Sequence, residues 1–423
     1  MKIEQIKIKN YKGFAEKTFT LNERMTVFIG ENAKGKTSVL DALAIAVGSF
    51  LRGIDVAKHE ARSISKNEIR VLTIEEQPRP QLPVEITAFG KVNGKTMENG
   101  WLRSVEKITK KTTTTFVNAK NIEQEAEAML KESRAKGGVT FPVIAYHGTG
   151  RLWAEHEEKK TEFRKQGEGV AMAYMNCLSP KSSSKEFLSW YKTYEDEVRK
   201  FNEPTDKMFL ETFNQCIISM IPDKHWQEMA YSFKDDDIIG FFTTPESKRE
   251  RLLFSQLSDG YRNVIGMVAD IAYRCIKLNP HLGKNAIKET PGFVLIDEID
   301  LHLHPNWQRR IVNDLKNAFP LIQFVATTHS PFIVQSLKSD EVWNLDKIMD
   351  VSPDDLKIDT ISTEIMGVSS SYSETNAELF EKSKNILNNI AANKPKNEIE
   401  DELNDISNPA VRAFLELNKM SKG

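Results

Sequence analysis

The sequence predicts an α/β fold, a mixed β-sheet flanked by helices, with a helical insert and an appended C-terminal helical tail. Three observations predict it. The apolar run MTVFI at 25–29 is followed by a glycine-containing loop and then by apolar residues at helical spacing. The runs GFVLI at 292–296 and IQFVA at 322–326 indicate buried strands, with a helix over 306–318 between them. Strands that alternate with helices are typical of α/β domains.

The N-terminal part of the chain adds antiparallel structure to this core. Ile3, Ile6 and Ile8 alternate with polar residues, which predicts an amphipathic strand over 2–9. A second short strand is expected near 17–21. A hairpin is expected over 77–100, where prolines and glycines interrupt β-prone residues. A helix over 120–136 and a buried strand over 141–146 complete an N-terminal lobe, which we assign to residues 1–150.

Three further segments follow that lobe. Residues 151–250 predict a helical insert, because they are polar and carry aromatic residues at the spacing of amphipathic helices. Residues 251–345 form a C-terminal lobe that contains a strongly predicted helix over 257–278. Residues 346–423 form an acidic helical tail, with helices near 374–392 and 408–420. The insert is too short for a long coiled-coil arm.

The composition excludes several classes of protein. The chain has 423 residues, of which 40% are hydrophobic and 28% charged, with a formal net charge of −2, so it is globular and not a uniformly basic nucleic-acid coat. No run approaches the ~20 apolar residues of a membrane span, and the N-terminus lacks the apolar block of a signal peptide. The 3 cysteines form no CxxC pair, which fits a reducing compartment. We expect a cytoplasmic protein without a membrane partner.

The sequence GENAKGKT at 30–37 matches the phosphate-binding pattern G-x(4)-G-K-[ST]. In this pattern the N–H groups of the loop and of the following helix surround a phosphate. Lys36 would face the β- and γ-phosphates, and the Thr37 hydroxyl would bind Mg²⁺. Because the pattern lies between a predicted strand and a predicted helix, we predict an ATP site. Its nucleotide-binding residues are Gly30, Asn32, Ala33, Lys34, Gly35, Lys36, Thr37 and Ser38.

Two carboxylates, Asp297 and Glu298, follow the apolar run at 292–296, at the strand end where α/β proteins bind ligands. Asp297 would hold Mg²⁺, and Glu298 would orient or deprotonate the attacking water. His329 follows the next core strand and would sense the γ-phosphate. We therefore predict Lys36, Glu298 and His329 as catalytic residues, and Thr37 and Asp297 as metal ligands.

A third motif, LSDGYR at 257–262, precedes the predicted helix. Ser258 and Gly260 would place a hydroxyl and an uncovered backbone at a helix N-terminus, which makes a second phosphate-binding surface. If this motif stood alone, an ordinary helix cap would explain Ser258 better. With the other motifs in this order, we add Ser258 and Gly260 to the nucleotide-binding residues.

The ordered motifs resemble those of ABC-type P-loop ATPases, which have a Walker A loop, an LSGGQ-like signature, a Walker B strand with a glutamate and a switch histidine. The opening IKIKNYKGF resembles the branch that contains RecF, SMC and OLD-like ATPases. The resemblance implies that Ser258 and Gly260 of one copy complete the ATP site of another, in a head-to-tail homodimer or a higher homo-oligomer. Ala33 stands where the family often has glycine, and Asp259-Gly260-Tyr261 replaces Gly-Gly-Gln; both changes would slow turnover.

A finer resemblance is to the AAA_21-like ATPases, which include the ATPase subunits of Septu-type and retron-linked anti-phage systems. It is carried by FPVIAYHGTGRLW (141–153), IDEIDLHLHPNWQ (296–308), ATTHSPFIV (326–334) and MGVSSSYSETNAELFEKSKNIL (366–387). This resemblance implies an ATP-gated sensor or clamp whose effector, such as an HNH-type nuclease, is a partner chain. His147 and Arg151 stand near the position of the family's glutamine loop, but no glutamine occupies it.

The alternative is a RecF-like DNA-repair or DNA-loading ATPase. A basic stripe of Arg103, Lys107, Lys110 and Lys111 would then contact DNA phosphates, although a solvated hairpin face is the commoner explanation of such a run. A transporter subunit fits the motifs but not the N-terminal pattern. We expect no intrinsic nuclease domain, since the residues after the ATPase core are too few for the Toprim domain of OLD-like proteins.

Overall fold

The computed structural model describes residues 1–108, 114–152, 169–180, 184–221, 226–243, 248–349, 351–369, 374–392, 396–406 and 408–421. The chain forms two compact units, Met1–Leu356 and Lys357–Gly423. No helix among these described residues is long and apolar enough to cross a membrane.

Among its described residues, the first part of the larger unit contains nine strands and two α-helices. In chain order they are β1 (Lys2–Tyr11), β2 (Phe14–Thr20), β3 (Met25–Ile29), α1 (Lys36–Leu51), β4 (Val71–Ile74), β5 (Gln77–Pro80), β6 (Val84–Val92), β7 (Lys95–Thr96), β8 (Trp101–Val105), α2 (Lys120–Lys136) and β9 (Val143–His147).

The described residues of the rest of this unit form seven α-helices and six strands. They are α3 (Gly169–Tyr174), α4 (Ser184–Phe201), α5 (Pro204–Met220), β10 (Trp226–Ser232), β11 (Asp237–Thr243), β12 (Arg249–Leu253), α6 (Asp259–Leu278), α7 (Ala286–Glu289), β13 (Gly292–Ile296), α8 (Pro305–Ala318), β14 (Ile322–Thr327), α9 (Pro331–Val334) and β15 (Val342–Asn344).

A five-stranded sheet with the order β15-β3-β14-β13-β9 forms the core, and all of its neighbouring strands run parallel. Every residue of β3, β9, β13 and β14 is buried, as expected for parallel strands covered on both faces. The carboxyl ends of β3, β14 and β13 therefore meet at one edge of this sheet. The loops that leave this edge carry the predicted phosphate, metal and switch motifs.

A separate antiparallel sheet has the order β2-β1-β6-β7, with β8 also paired to β6. The alternation predicted for β1 is present, because Ile3, Ile6 and Ile8 are fully buried. Helix α1 adds to the buried core of this lobe, because every residue from Val39 to Leu51 is buried. The predicted α/β fold with mixed strand directions and flanking helices is thus confirmed, with the parallel and antiparallel strands divided between sheets.

The predicted helical insert, 151–250, is wrong in its last described part. Strands β10 and β11 and the first two residues of β12 lie there and form a three-stranded antiparallel sheet with the rest of β12, while α3, α4 and α5 supply the helical part. In β10 the buried Trp226, Met229 and Tyr231 lie among exposed or half-buried residues, which is a strand pattern broken by one irregularity in the register. That irregularity disguises the two-residue period, so the aromatic spacing also matches a helix.

The predicted basic stripe is also wrong at its first member. Arg103 on β8 is fully buried, and its guanidinium donates hydrogen bonds of 3.0 Å to the carbonyls of Ile45 and Arg62. Its guanidinium carbon lies 3.9 Å from the centre of the Phe116 ring. Burial lowers the pKa of Arg103 to about 9. Arg103 therefore stabilises the fold and cannot contact DNA, while Lys107 is exposed and Lys110 and Lys111 lie outside the described residues.

The smaller unit is helical, as predicted, but it begins at Lys357 and not at residue 346. It contains α10 (Ile358–Thr360), a π-helical turn (Ile361–Ile365), α11 (Glu374–Ala391), α12 (Lys396–Asn404) and α13 (Pro409–Ser421). Helix α12 was not predicted. The buried side chains of its core come from all three of the longer helices and the turn between α12 and α13: Ile386, Ile390, Ile399, Leu403, Ile406 and Leu415.

Candidate active site

The loop between β3 and α1 has the conformation of a phosphate cradle. Gly35 precedes α1 with φ of 100°, a backbone conformation that favours glycine. A Cβ atom at this position would also lie 2.7 Å from Cζ of Phe14, so a larger residue would have to displace the Phe14 ring. Ala33 has φ of 66°, which explains why glycine is common there in the resembling family. Asn32, Ala33 and Lys34 are exposed, and Ser38 is half-buried at the start of α1.

Lys36 is held across this loop. Its Nζ atom donates hydrogen bonds of 2.7 Å to the carbonyl of Gly30 and of 2.9 Å to the carbonyl of Glu31. Burial lowers the pKa of Lys36, and the nearby carboxylates Asp346 and Asp297 oppose that shift. The ammonium group is thus held by two carbonyls of the phosphate loop, within the segment that would surround a phosphate.

Thr37 and Asp297 face each other across the sheet edge. The Thr37 hydroxyl donates to Asp297, with Oγ1 at 3.2 Å from Oδ1 and 3.0 Å from Oδ2. Asp297 is buried, and its N–H donates to the carbonyl of His147 at 2.8 Å. A hydroxyl and a carboxylate are the hard oxygen donors that Mg²⁺ takes in nucleotide sites, and these two are close enough to share one ion. The residues therefore fit the metal that the motifs imply.

Glu298 follows Asp297 in a left-handed backbone conformation, with φ of 50°. Such a conformation costs about 1–3 kcal/mol for a residue other than glycine, and it occurs mostly where function requires it. The N–H of Glu298 donates to Thr327 Oγ1 at 2.8 Å. The carboxylate is half-buried at the carboxyl edge of the sheet, so it can reach both the site and solvent water.

His329 leaves the same edge just after β14, and its side chain is exposed. The preceding residue, Thr328, donates its N–H to the carbonyl of Phe28 at 3.3 Å, which places this turn beside the strand that leads into the phosphate loop. The hydroxyl of Thr328 accepts the N–H of Ser330 at 3.0 Å. The turn is thus fixed on both sides of the histidine.

Among the described residues, no hydrogen bond or ion pair joins Ser258 or Gly260 to the phosphate loop of the same chain. Ser258 is exposed, and its hydroxyl makes no capping bond to α6. A Cβ atom on Gly260 would lie 2.4 Å from the carbonyl oxygen of His302, so glycine is required where α6 meets the loop after Asp297. Asn263 Nδ2 donates to the carbonyl of Leu301 at 2.9 Å and fastens the same contact.

His147 ends β9 beside β13, and its side chain is buried. Its Nε2 atom lies 3.6 Å from Oδ2 of Asp270, which is on α6. Through this pair and the bond from Asp297 N–H, His147 contacts both α6 and the metal-binding strand. The side chain of Arg151 and the rest of the segment to residue 153 lie outside the described residues.

Asp346 was missed because the predicted boundary of the tail falls just before it. Its Oδ2 accepts the N–H of Glu31 at 2.7 Å, and its Oδ1 lies 3.1 Å from Lys34 Nζ. Burial would raise the pKa of Asp346, but the Glu31 N–H and the Lys34 ammonium outweigh it and hold that pKa below its usual range. The sequence carries no clear local signal for Asp346, because Asn344 interrupts the apolar residues of VWNL at 342–345.

Replacing Asp346 with alanine should raise the dissociation constant for ATP about tenfold, because the phosphate loop loses a charge-assisted hydrogen bond. Asp346→Asn should have a smaller effect, since an amide oxygen can still accept the N–H of Glu31. Titration with a fluorescent ATP analogue measures both constants. Equal affinity of the alanine variant and the wild type would contradict this role.

Comparison with known proteins agrees with this geometry. The AAA_21 family model, an "AAA domain" whose description also names the AbiEii toxin and a type IV TA system, matches residues 120–335. A second "AAA domain" model, AAA_23, matches residues 5–215. The chain belongs to the AAA_21 family. It is thus an ATPase of the AAA type, as the resemblance implied.

Individual relatives of this AAA_21 chain are distant. The "Retron Vc95 probable ATPase" of Vibrio cholerae is 27% identical over 81% of this chain and 73% of its own length. The "Septu protein PtuA" of Bacillus mycoides is 27% identical over 80% of this chain, but over only 40% of its own length. Among solved structures, an SMC head bound to the C-terminal winged-helix domain of ScpA covers 83% of this chain and 97% of its own, at 16% identity and a TM-score of 0.47.

Proposed function

We propose that this chain binds and hydrolyses ATP with Mg²⁺, that ATP joins two copies head to tail, and that this pairing gates a partner effector in prokaryotic anti-phage defence. The observation that carries the proposal is the meeting of the two metal-site residues at one sheet edge, with Thr37 Oγ1 3.0 Å from Asp297 Oδ2. These residues lie 260 positions apart in the sequence, and only the parallel sheet brings them together.

Each residue then has one task. The loop N–H groups and Lys36 bind the β- and γ-phosphates, and Thr37 and Asp297 hold Mg²⁺. When bound, Mg²⁺ neutralises charge that develops on the phosphate oxygens. Glu298 takes a proton from the attacking water or orients it. His329, exposed beside the phosphate loop, donates a hydrogen bond to the γ-phosphate and so distinguishes ATP from ADP.

The signature motif supports pairing of two copies. Ser258 lies exposed at the N-terminus of the 20-residue helix α6, with its hydroxyl unused by the helix cap. A helix start of this kind binds anions through its free N–H groups. In the described part of the chain no hydrogen bond joins it to its own phosphate loop, and in the proposed pair the phosphate that it binds is held by a second copy.

A complementation experiment tests the pairing. Lys36→Ala disables the phosphate loop, and Ser258→Arg blocks the signature. A mixed pair would contain one site in which both halves are intact, so mixing two inactive variants should restore up to half of the wild-type rate per mixed pair. Phosphate release measures this rate. If the mixture stays inactive while both variants keep the wild-type melting temperature, head-to-tail pairing is wrong.

The role in defence is supported by the two relatives named as a retron ATPase and a Septu protein. The effector would be a separate chain, such as an HNH-type nuclease. The alternative, a DNA-repair ATPase of the RecF kind, loses part of its support because Arg103 is buried.

Capture of partners from the native host distinguishes these functions. Tagged Glu298→Gln should hold ATP and retain a stoichiometric effector in the presence of Mg²⁺, whereas tagged Lys36→Ala, in which ATP binding is strongly weakened, should not. Mass spectrometry identifies the proteins, and a nucleic-acid stain reports DNA. Recovery of DNA and repair factors without an effector would favour the repair function.

A further inference from the structure

We propose that Thr327 is a positioning residue for ATP hydrolysis, because its side chain fixes both the metal-binding carboxylate and the general base. The proposal rests on the ATPase function proposed above and assigns to that site a residue that is not among the predicted site residues.

Thr327 is the last residue of β14, and only 1% of its surface is exposed. Its hydroxyl donates to Asp297 Oδ1 at 2.6 Å and accepts the N–H of Glu298 at 2.8 Å. Its carbonyl accepts the N–H of Ile299 at 2.9 Å. One residue thus contacts three consecutive residues of the neighbouring chain segment: the carboxylate of the predicted metal ligand Asp297, and the backbone N–H groups of the predicted general base Glu298 and of Ile299.

The hydrogen bonds of Thr327 take the place of the strand pairing at the point where β13 and β14 separate. The parallel pairing of β13 with β14 stops at Ile296 and Ala326. Glu298 then turns into its left-handed conformation, which removes the following residues from the line of β13. Backbone N–H groups that leave a sheet in a buried place need new acceptors. Thr327 supplies two of them, and so it stabilises the strained turn that carries the general base.

The hydrogen bond that the Thr327 hydroxyl donates sets the orientation of the Asp297 carboxylate. A threonine hydroxyl has one proton to donate, and here Oδ1 of Asp297 receives it. This bond holds the carboxylate in an orientation in which both of its oxygens face the Thr37 hydroxyl, with Oγ1 at 3.2 Å from Oδ1 and 3.0 Å from Oδ2. Thr37 and Asp297 are the residues that would hold the ion. Valine has the same branched shape as threonine but can neither donate nor accept, so it removes both functions.

The test compares Thr327→Val with Thr327→Ser in the full chain. Valine should lower kcat for ATP hydrolysis about a hundredfold, the effect expected when catalytic groups are displaced by about 1 Å. It should change the dissociation constant for ATP in EDTA by less than about twofold, since the phosphate loop is untouched, but it should reduce the gain in affinity that Mg²⁺ gives. Serine keeps the hydroxyl and should retain most of the wild-type kcat.

The matched control is Thr26→Val. Thr26 is also a fully buried strand threonine, and its hydroxyl accepts the N–H of Asn22 at 2.9 Å, near the start of β3 and away from the carboxyl edge. This control should keep the wild-type kcat and the wild-type response to Mg²⁺. A thermal melt of every variant shows whether it is folded.

Two results would overturn the role of Thr327. One is a valine variant with the wild-type kcat and the wild-type Mg²⁺ response. The other is a serine variant that is as slow as valine while keeping the wild-type melting temperature, because then the methyl group and not the hydroxyl would matter. If the wild type itself hydrolyses no ATP, the proposed function fails, and the dependence of ATP affinity on Mg²⁺ still tests Thr327.

Discussion

Glu298→Gln should lower the rate of ATP hydrolysis by about 10²–10⁴-fold, the usual contribution of a general base, while ATP still binds. Glutamine has the same shape as glutamate, so the backbone bond from residue 298 to Thr327 is kept. Without a proton acceptor at the attacking water, the ATP-bound pair should persist. Phosphate release gives the rate, and sedimentation with and without ATP gives the fraction of paired chains.

The control for this variant is Glu250→Gln, which makes the same chemical change on an exposed residue of β12. It should leave hydrolysis and pairing unaltered. If Glu298→Gln hydrolyses ATP at the wild-type rate, another residue is the general base and our assignment is wrong.

Lys36→Ala should weaken ATP binding by a factor of about 100 or more, since it removes a buried ammonium that pairs with two phosphates. Its neighbour in the same loop, Lys34, provides the matched control. Lys34 is exposed and pairs with Asp346, so Lys34→Ala should have a much smaller effect. Titration with a fluorescent ATP analogue at fixed Mg²⁺ compares the two. An equal loss of ATP affinity in both variants would show that the total positive charge of the loop, and not the position of Lys36, accounts for ATP binding.

The parts of the site predicted from the sequence are those in which neighbouring residues determine the structure. The phosphate loop joins a short apolar strand to a helix, and all of its atoms come from eight consecutive residues, 30–37. The end of β13 was recognisable because two acids follow an apolar run. Helix α2 and strands β3 and β13 have the predicted limits. The catalytic roles of the site residues stay predictions.

The parts that were missed depend on contacts between distant residues. Asp346 bonds to a residue 315 positions earlier, and Thr327 bonds to Asp297, 30 positions earlier, across two strands. Neither contact leaves a local pattern. The burial of Arg103 was missed for the same reason. A charged side chain is expected at the surface, but the groups that cover this one come from α1 and from Phe116, which are not its neighbours in the sequence. In β10 the prediction of a helix was wrong because the register shift in this strand makes the spacing of its buried residues match a helix as well as a strand.

The contact between Gly260 and the carbonyl of His302 has a further consequence. If two copies pair as proposed, the signature that closes on the partner's ATP rests directly on the loop that follows its own catalytic carboxylates. A shift of α6 on binding one nucleotide would therefore move residues 301–302 beside the other. The two ATP molecules of a pair would then be hydrolysed with cooperativity, and the rate would rise more steeply than linearly with ATP concentration.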